Sequence, residues 1–520
     1  MATLRSGMNT PLRLASFFSA AVFFAGLAHA DVTLAPLFTD HAVLQRDKSV
    51  PVWGHAQAGE KITVTFAGHT VQTTADANGR WTTSLPALEA SGESRDFVVT
   101  GNNTVTLSDV VVGEVWLCSG QSNMAFMVRQ AQNAPAEIAA ANFPLIRQVQ
   151  VERAVETAPV ETGKTKGWQA ATPEKVGEFT AVGYYFARDL HRKLGVPIGL
   201  INSSWGGTPV ESWMSPAAVA SQAEFSVITE RWQKKLAEYP DKKAAYDLAL
   251  PPWTEAEAKA KAAGEKQYRA FLKATPKPIA PVGQGHPWTP MSLFNGMINP
   301  LLPYALRGAL WYQGESNANH ADEYHALFSA MITAWRAHFG QGDFPFYWVQ
   351  LANFNSPSDP SGITWAFLRE AQTQTLSLPQ TGQTITIDIG EANDIHPTNK
   401  QEVGRRLALI AKIKTYGIAG DCEGPTFASA TPEKNALRVR FTHLAGGLVA
   451  HSKPSQSLQV AGADRKFYPA TGVIERDGLL VSAPGVKEPV AVRYAWSNSP
   501  EANLYNSAGL PVVPFRSDRW

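Results

Sequence analysis

Residues 115 to 124 read Val115-Trp116-Leu117-Cys118-Ser119-Gly120-Gln121-Ser122-Asn123-Met124, and they indicate both a class of fold and a site. The segment opens as a short apolar run, which is typical of a strand that is buried on both faces of a sheet. Gly120 and Ser122 follow where such a strand would end. A serine at a strand-to-loop-to-helix junction can present its hydroxyl at the carboxyl edge of the sheet. Ser122 is therefore the predicted nucleophile; the alternative is a serine that caps a helix.

Similar apolar runs recur through the middle of the chain and alternate with longer amphipathic stretches. The predicted strands are 110–117, 197–201, 306–312, 344–350 and 384–387, and the predicted helices are 181–194, 321–338, 365–378 and 400–416. This alternation predicts an α/β domain with a parallel sheet, over residues 108–418. In such sheets the loops at the carboxyl ends of the strands carry the chemistry.

Two regions with a different pattern flank this domain, and one interrupts it. Residues 31–107 and 419–520 alternate apolar and polar side chains with period two, so each is predicted to be an all-β module. Residues 216–275 are rich in Ala, Lys and Glu. They predict an inserted helical hairpin that breaks at Pro251-Pro252, with no chemistry of its own.

The N-terminal residues predict an exported protein. Arg5 and Arg13 precede an apolar run, and Ala28-His29-Ala30 supplies the small residues that signal peptidase accepts. We expect residues 1–30 to be a signal peptide, the mature chain to start at Asp31 and the protein to be periplasmic or extracellular. The apolar run is short for a membrane span, and no cysteine follows it to carry a lipid, so no membrane anchor is expected.

Charge and cysteine content exclude several classes of function. The 520 residues contain 46 Lys+Arg and 45 Asp+Glu, so the charge balance does not indicate a basic face and no nucleic-acid partner is expected. Cys118 and Cys422 could pair in an oxidising compartment, or both could be buried free thiols. Neither cysteine has a flanking histidine cluster, and the chain has no His-Glu-x-x-His sequence. We therefore predict no metal and no other cofactor.

Three later segments follow predicted strands and offer the groups that a serine nucleophile needs. They are Gly206-Gly207-Thr208, Gln313-Gly314-Glu315-Ser316-Asn317 and Asp394-Ile395-His396-Pro397. A glycine N–H or an amide side chain can donate to an oxyanion that forms in the transition state. An imidazole can accept the proton of the serine, and it needs an acceptor on its other nitrogen. His396 is the predicted base.

Residues 120–124 and these three segments form four blocks, and in this order they resemble the blocks of SGNH-type hydrolases, which have a three-layer α/β/α domain. More narrowly, they resemble the sialate O-acetylesterase family. The resemblance implies metal-free hydrolysis of acetyl esters on sugars. It implies Ser122 as nucleophile, His396 as base, and an oxyanion hole formed by the N–H groups of Ser122 and Gly207 with the Asn317 side chain. Ser316 is the alternative third donor, since it stands where the family usually has Asn.

The acceptor that orients His396 and the residues that bind substrate are less closely defined. Many SGNH enzymes have Asp-x-x-His, whereas Asp394 is two positions before His396, so the acceptor is Asp394, a backbone carbonyl or Glu391. The candidate substrate-binding residues are Gln121, Trp205, Trp288 and Glu315, and Glu315 is also expected to hold loop geometry by hydrogen bonds.

Two other functions and several substrates fit the same residues. Glu315 and Asp394 could be the two carboxylates of a glycoside hydrolase. A Trp-rich chain with two β modules could bind sugars without catalysis. Within the esterases, the sequence does not distinguish an acetylated sialic acid, xylan or xyloglucan as the substrate. It also does not indicate an oligomeric state.

Overall fold

The computed structural model describes residues 31–451, 457–475 and 478–520. The predicted signal peptide, residues 1–30, lies outside the described residues. None of the helices among these described residues combines the length with the apolar composition that a membrane span requires.

The first β region ends in a strand that continues into the central sheet. Its strands are β1 (Thr33–Leu34), β2 (Val43–Gln45), β3 (Val50–His55), β4 (Lys61–Phe66), β5 (His69–Thr74), β6 (Arg80–Leu85), β7 (Ser91–Thr100) and β8 (Thr104–Gly120). β8 pairs with β7 through its first residues, and every residue from Val110 to Gly120 is buried. Burial on both faces explains the continuous apolar run there. Residues 107 and 108, the predicted domain boundary, lie within β8.

The second part of β8 is the centre of the sheet that carries the site. The other strands are β9 (Phe143–Val151), β10 (Thr165–Ala171), β11 (Ile198–Ser204), β12 (Gly308–Tyr312), β13 (Phe346–Val349) and β14 (Thr381–Thr384). Their order is β10-β9-β11-β8-β12-β13-β14. The strands from β9 to β14 in this order are parallel, but β10 is antiparallel to β9. The prediction of a parallel sheet is therefore wrong at this edge, where a loop rather than a crossover helix joins the two strands.

Helices cover both faces of this sheet. The α-helices are α1 (Ser122–Ala125), α2 (Ala134–Ala139), α3 (Ala181–Leu194), α4 (Pro216–Ala220), α5 (Ser226–Ala262), α6 (Glu265–Ala274), α7 (Ala321–Phe339), α8 (Thr364–Gln374) and α9 (Lys400–Ile410). Side chains alternate between the faces of a strand. Trp116 and Cys118 therefore pack in the layer of α3 and α9, while Val115 and Leu117 pack in the layer of α7 and α8.

The predicted helix 181–194 is confirmed at both ends, since its end signals are local. Thr180 caps α3 by accepting a hydrogen bond from the N–H of Gly183 at 3.4 Å, and Gly195 ends the helix in the left-handed conformation. The other predicted helices are confirmed with shifted ends: α7 extends to Phe339, and α8 and α9 end earlier, before short 3-10 and π turns.

The insertion is helical, but its break lies elsewhere than predicted. α5 continues through Pro251 and Pro252, and the chain turns at Gly264, where φ is 109°. Trp253 directly follows the two prolines. Its ring packs on Phe271 of α6, and its indole N–H donates to the carbonyl of Thr275 at 2.9 Å. This tertiary packing holds α5 together where the prolines remove backbone donors.

The C-terminal β region has its own core. Its strands are β15 (Thr426–Glu433), β16 (Ala436–Thr442), β17 (Leu448–Ala450), β18 (Leu458–Ala461), β19 (Phe467–Pro469), β20 (Thr471–Glu475), β21 (Gly478–Ser482), β22 (Ala491–Tyr494), β23 (Leu504–Asn506) and β24 (Phe515–Arg516). Ile385 and Ile387 pack into this core. The predicted strand 384–387 is therefore wrong: β14 ends at Thr384, and the apolar residues beyond it cover the C-terminal module.

Both cysteines are free. Cys118 is buried on β8, and Cys422 is partly buried against the same core cluster. Burial raises the pKa of Cys422 to about 11, so its thiol is protonated at neutral pH. Of the two predicted alternatives, the structure therefore has two free thiols rather than a disulfide between Cys118 and Cys422.

Candidate active site

The structure brings Ser122 and His396 together from distant parts of the sequence. Ser122 is the first residue of α1, directly after β8, and its Oγ lies 2.8 Å from Nε2 of His396. The N–H of Gln121 donates to the carbonyl of Tyr312 at 2.9 Å, so the end of β12 supports the turn that carries the serine. A hydroxyl and an imidazole at this distance can exchange a proton.

The loop that carries His396 is held by two carboxylates through its backbone. Asp394 Oδ1 accepts a hydrogen bond from the N–H of His396 at 2.8 Å, but it lies 3.8 Å from Nδ1 of the ring. That second distance is too long for a hydrogen bond. Glu391 Oε1 accepts from the N–H and the hydroxyl of Thr398, at 2.8 and 2.9 Å. Neither of these two carboxylates therefore makes a direct hydrogen bond to the imidazole.

The surroundings of His396 favour its neutral form. Burial lowers the pKa of His396, the nearby Lys400 lowers it further, and Asp394 raises it. Phe126 lies against the imidazole, with ring centroids 6.4 Å apart and planes at 23°. A neutral imidazole at pH 7 can accept a proton from the serine.

A buried polar network lies beneath the pair and connects three loops. The side-chain amide of Asn123 donates to Glu315 Oε1 at 2.6 Å and to the carbonyl of Ile395 at 2.9 Å. Its oxygen accepts from the ammonium of Lys400 at 2.5 Å. Asn123 follows Ser122, and Ile395 precedes His396. One side chain thus fixes the serine loop relative to the histidine loop.

Burial makes both charged members of this network easier to neutralise. It raises the pKa of Glu315 and lowers the pKa of Lys400 to about 7. Glu315 Oε2 is buried without a hydrogen-bond partner among the described residues. The Lys400 ammonium also lies 4.9 Å from the centroid of the Phe126 ring, where a cation is attracted to the π face. The protein therefore encloses both the Glu315 carboxylate and the Lys400 ammonium.

The glycine pair after β11 approaches the serine closely. A Cβ on Gly206 would lie 3.2 Å from Cβ of Ser122, which is tighter than ordinary contact. Gly207 has φ 74°, in the left-handed region that favours glycine. Among the described residues, the N–H groups of Ser122 and Gly207 donate to no hydrogen-bond acceptor. Both donors are therefore available to a ligand.

Trp288 supports this glycine loop and lines a cavity beside it. Its indole N–H donates to the carbonyl of Gly207 at 2.5 Å. The cavity has a volume of about 410 Å³ and is lined also by Arg231, Trp232 and Ser316. Two of these residues lie on α5, to which the sequence assigned no chemistry. The helical insertion thus forms one wall of a pocket at the glycine loop.

Asn317, Gln121 and Trp205 lie in the same region; the first two are buried and Trp205 is partly buried. Asn317 is buried; its oxygen accepts from the N–H of Val210 at 2.9 Å, and its nitrogen donates to Glu211 at 2.8 Å. Gln121 is also buried and accepts the N–H of Ser316 at 3.4 Å. The N–H of Trp205 donates to the carbonyl of Gly120 at 3.0 Å. Gln121 and Trp205 thus contribute to the contacts that hold the loops of the site.

Sequence reasoning missed Asn123 and Lys400. Asn123 adjoins the predicted nucleophile, but its partners lie on loops 192 and 272 residues away. Lys400 opens α9, where a lysine is ordinarily exposed. Neither residue carries a local signal for its role. Among the described residues, no group of three or more His, Cys, Asp or Glu side chains could hold a metal ion.

Comparison with known proteins identifies the family. The family model described as carbohydrate esterase, sialic acid-specific acetylesterase matches residues 112–246 and 284–412. A carbohydrate acetylesterase from Xanthomonas citri, known from a crystal structure, is 38% identical; the match covers 94% of this chain and 100% of that chain, with a TM-score of 0.79. The sialate O-acetylesterase of Rattus norvegicus is 29% identical over 92% of this chain and 93% of its own length. That of Homo sapiens is 28% identical over 98% and 95%.

These matches define a carboxylic ester hydrolase. More narrowly, the chain belongs to the sialic acid-specific acetylesterase family of carbohydrate esterases. The predicted family is therefore confirmed. The glycoside hydrolase and the non-catalytic sugar-binding protein are the alternatives that this family excludes.

Proposed function

We propose that this chain is an exported carbohydrate O-acetylesterase of the SGNH type, which removes acetyl groups from sugars through an acyl-enzyme on Ser122. The observation that carries the proposal is the 2.8 Å separation between the hydroxyl of Ser122 and Nε2 of His396. The lowered pKa of His396 supports it, because a base must be unprotonated to act.

In the first half-reaction the oxygen of Ser122 attacks the acetyl carbonyl carbon while His396 Nε2 accepts the hydroxyl proton. The carbonyl π electrons move to the oxygen and form a tetrahedral oxyanion. Collapse of this intermediate breaks the bond to the sugar oxygen, which leaves with the proton from His396. The products are a sugar hydroxyl and acetyl-Ser122.

The oxyanion is stabilised in this proposal by the N–H groups of Ser122 and Gly207. Both groups lack other partners among the described residues, and a glycine at 206 lets the two loops approach. The side chain of Asn317 is the third donor, through the N–H that its contact with Glu211 does not use. Loss of one such donor costs about 10²-fold to 10³-fold in kcat.

In the second half-reaction His396 removes a proton from water, whose oxygen attacks the acetyl-enzyme. The tetrahedral intermediate collapses with cleavage of the bond between the acyl carbon and Oγ of Ser122, and this oxygen takes the proton from His396. The acetic acid that is released loses its own proton to solvent and becomes acetate. Asp394 orients His396 through the backbone N–H and stabilises the imidazolium by its charge. Trp288, in the cavity beside Gly207, is the proposed contact for the sugar ring.

Acetate release from acetylated sialosides, xylans and xyloglucan oligosaccharides tests the proposal and selects among substrates. Wild-type protein should release acetate from at least one of the three and leave the glycan intact. Ser122→Ala and His396→Ala should lose this activity and remain folded, whereas Ser84→Ala, an exposed serine on β6, should retain it. Full activity of Ser122→Ala would refute the mechanism.

Export rests on the N-terminal sequence alone. Arg5, Arg13 and the small residues before Asp31 are the support for it. N-terminal sequencing of the protein from a culture that expresses the full chain should give Asp31 as the first residue. Recovery of the uncleaved chain from the cytoplasmic fraction alone would overturn this part of the proposal.

A further inference from the structure

A second and larger cavity lies at the carboxyl ends of β9 and β11. Its volume is about 660 Å³, within the range of small-molecule sites. Alternate residues of two neighbouring strands form part of its lining: Gln148 and Gln150 on β9, and Asn202 and Ser204 on β11. Asn202 pairs with Gln150 in the ladder, so these polar groups share one face of the sheet.

Two of these side chains are buried with an unused donor. Gln148 is 4% exposed and Asn202 is 3% exposed. Gln148 Oε1 accepts from the N–H of Thr180 at 2.9 Å, and Asn202 Oδ1 accepts from the hydroxyl of Ser204 at 2.7 Å. Neither amide nitrogen donates to any described residue. Neither nitrogen is among the enclosed unpartnered atoms of the described residues, so both reach the cavity that these side chains line. Their N–H groups are therefore suited to a bound ligand with oxygen acceptors.

The rim of the cavity adds exposed polar side chains. The exposed residues carry both signs of charge and are Arg153, Lys166, Lys175, Glu152 and Glu178, while Gln169 is half-buried. The guanidinium of Arg153 lies over the Trp205 ring, 5.4 Å from its centroid. Buried amides with a polar rim and an aromatic side chain nearby match the hydroxyls and ring of a sugar.

Short chain segments connect this cavity to the proposed catalytic pair. Ala125 and Met127 line it and flank Phe126, whose ring stacks on His396. Ser204 also lines it and stands two residues before Gly206, where an added Cβ would lie 3.2 Å from Cβ of Ser122. Only a few residues of each segment therefore separate the lining of the cavity from the proposed catalytic pair.

We infer that this cavity is a subsite for a glycosyl unit attached to the acetylated sugar. The inference rests on the proposed function and deepens it, because it makes the preferred substrate an oligosaccharide rather than a free monosaccharide. The amide N–H groups of Gln148 and Asn202 donate to hydroxyl oxygens of that unit.

The direct test is binding of deacetylated glycans to the Ser122→Ala protein by calorimetry. The probes are xylotetraose, a xyloglucan heptasaccharide and sialyllactose, each compared with its own monosaccharide. At least one oligosaccharide should bind more tightly than its monosaccharide. Asn202→Asp keeps the acceptor for Ser204 and removes the donor, and it should weaken that binding about tenfold, the loss expected for one hydrogen bond.

Two further variants at exposed positions distinguish a lost ligand contact from misfolding of the Asn202→Asp protein. Lys166→Ala changes an exposed residue at the rim of the cavity, and it should also weaken binding of the oligosaccharide. Lys164→Ala lies just outside the cavity on the same segment and should leave binding unchanged. Unchanged affinity in both Asn202→Asp and Lys166→Ala, or no oligosaccharide that binds better than its monosaccharide, would overturn the subsite. Failure of the proposed mechanism would instead appear as retained esterase activity in Ser122→Ala.

Discussion

The side-chain amide of Asn123 donates to the backbone carbonyl of Ile395 at 2.9 Å and so joins the loop of Ser122 to the loop of His396. The same amide reaches Glu315, and its oxygen accepts from Lys400. The distance between the two reacting groups is thus set by a residue that takes no part in bond making. Asn123 is a positioning residue in this account.

Asn123→Ala should therefore weaken both the fold and the reaction. It leaves a buried carbonyl, a carboxylate and an ammonium without their partner, which costs about 2 to 4 kcal/mol of unfolding free energy. The catalytic loops also lose their connection, so kcat should fall at least about tenfold. Urea denaturation and acetate release measure the two effects. Asn78→Ala, an exposed asparagine, is the control, and wild-type kcat in Asn123→Ala would contradict the positioning role.

The pH dependence of kcat/KM should follow His396, with two variants that shift it in opposite directions. The base must be neutral, so activity is lost as the pH falls through a pKa that lies below 6.5. Lys400 lowers this pKa, so Lys400→Met should move the acidic limb to higher pH. Asp394 raises it, so Asp394→Asn should move the limb to lower pH. Profiles from about pH 4 to about pH 8 test this, and shifts in the same direction would contradict the assignment.

Alanine substitutions of the two glycines after β11 should impair the protein for different physical reasons, one through kcat and the other through stability. At position 206 the new Cβ would press on Ser122 at 3.2 Å, so kcat should fall with little change in stability. At position 207 nothing lies within 4 Å of the new Cβ, but φ of 74° strains an alanine. The strain costs about 1 to 2 kcal/mol. Thermal unfolding and kcat, measured on both variants, separate the cases; equal effects on both would contradict this distinction.

Arg369 should be needed to hold the C-terminal module on the α/β domain. Its buried guanidinium donates to the carbonyls of Leu351 and Ala352 on one side, and of Ser497 and Asn498 on the other. Arg369→Met leaves these carbonyls unpaired and should lower the unfolding free energy by about 3 kcal/mol or more. Exposed Arg80→Met on β6 is the control for charge loss. A variant as stable as wild type would show that the contacts are dispensable.

The sequence predicts elements whose signals are local and misses those that depend on distant packing. α3 has its cap and its terminal glycine beside it, and its bounds are as predicted. β9 has only a short apolar start that contains Pro144 and is followed by alternating polar residues, and β10 is mostly polar or small. The sequence therefore predicts neither strand and misses the cavity beside β9. Ile385 and Ile387 resemble a buried strand because they are buried, but by the C-terminal module.

The candidate site divides in the same way. The serine, the glycine pair and the histidine stand at the ends of recognisable strands, where an α/β sheet gathers its chemistry. Lys400 and the amides of Gln148 and Asn202 gain their significance from burial, which depends on residues far along the chain. One sequence does not encode that burial in any short pattern.

The most direct measurement is peptide mass analysis of wild-type protein, acid-quenched while it hydrolyses an acetylated oligosaccharide. The account predicts one added acetyl group on the peptide that contains Ser122, absent from the Ser122→Ala protein under the same conditions. An acetyl group on another residue, or full turnover by Ser122→Ala, would contradict it.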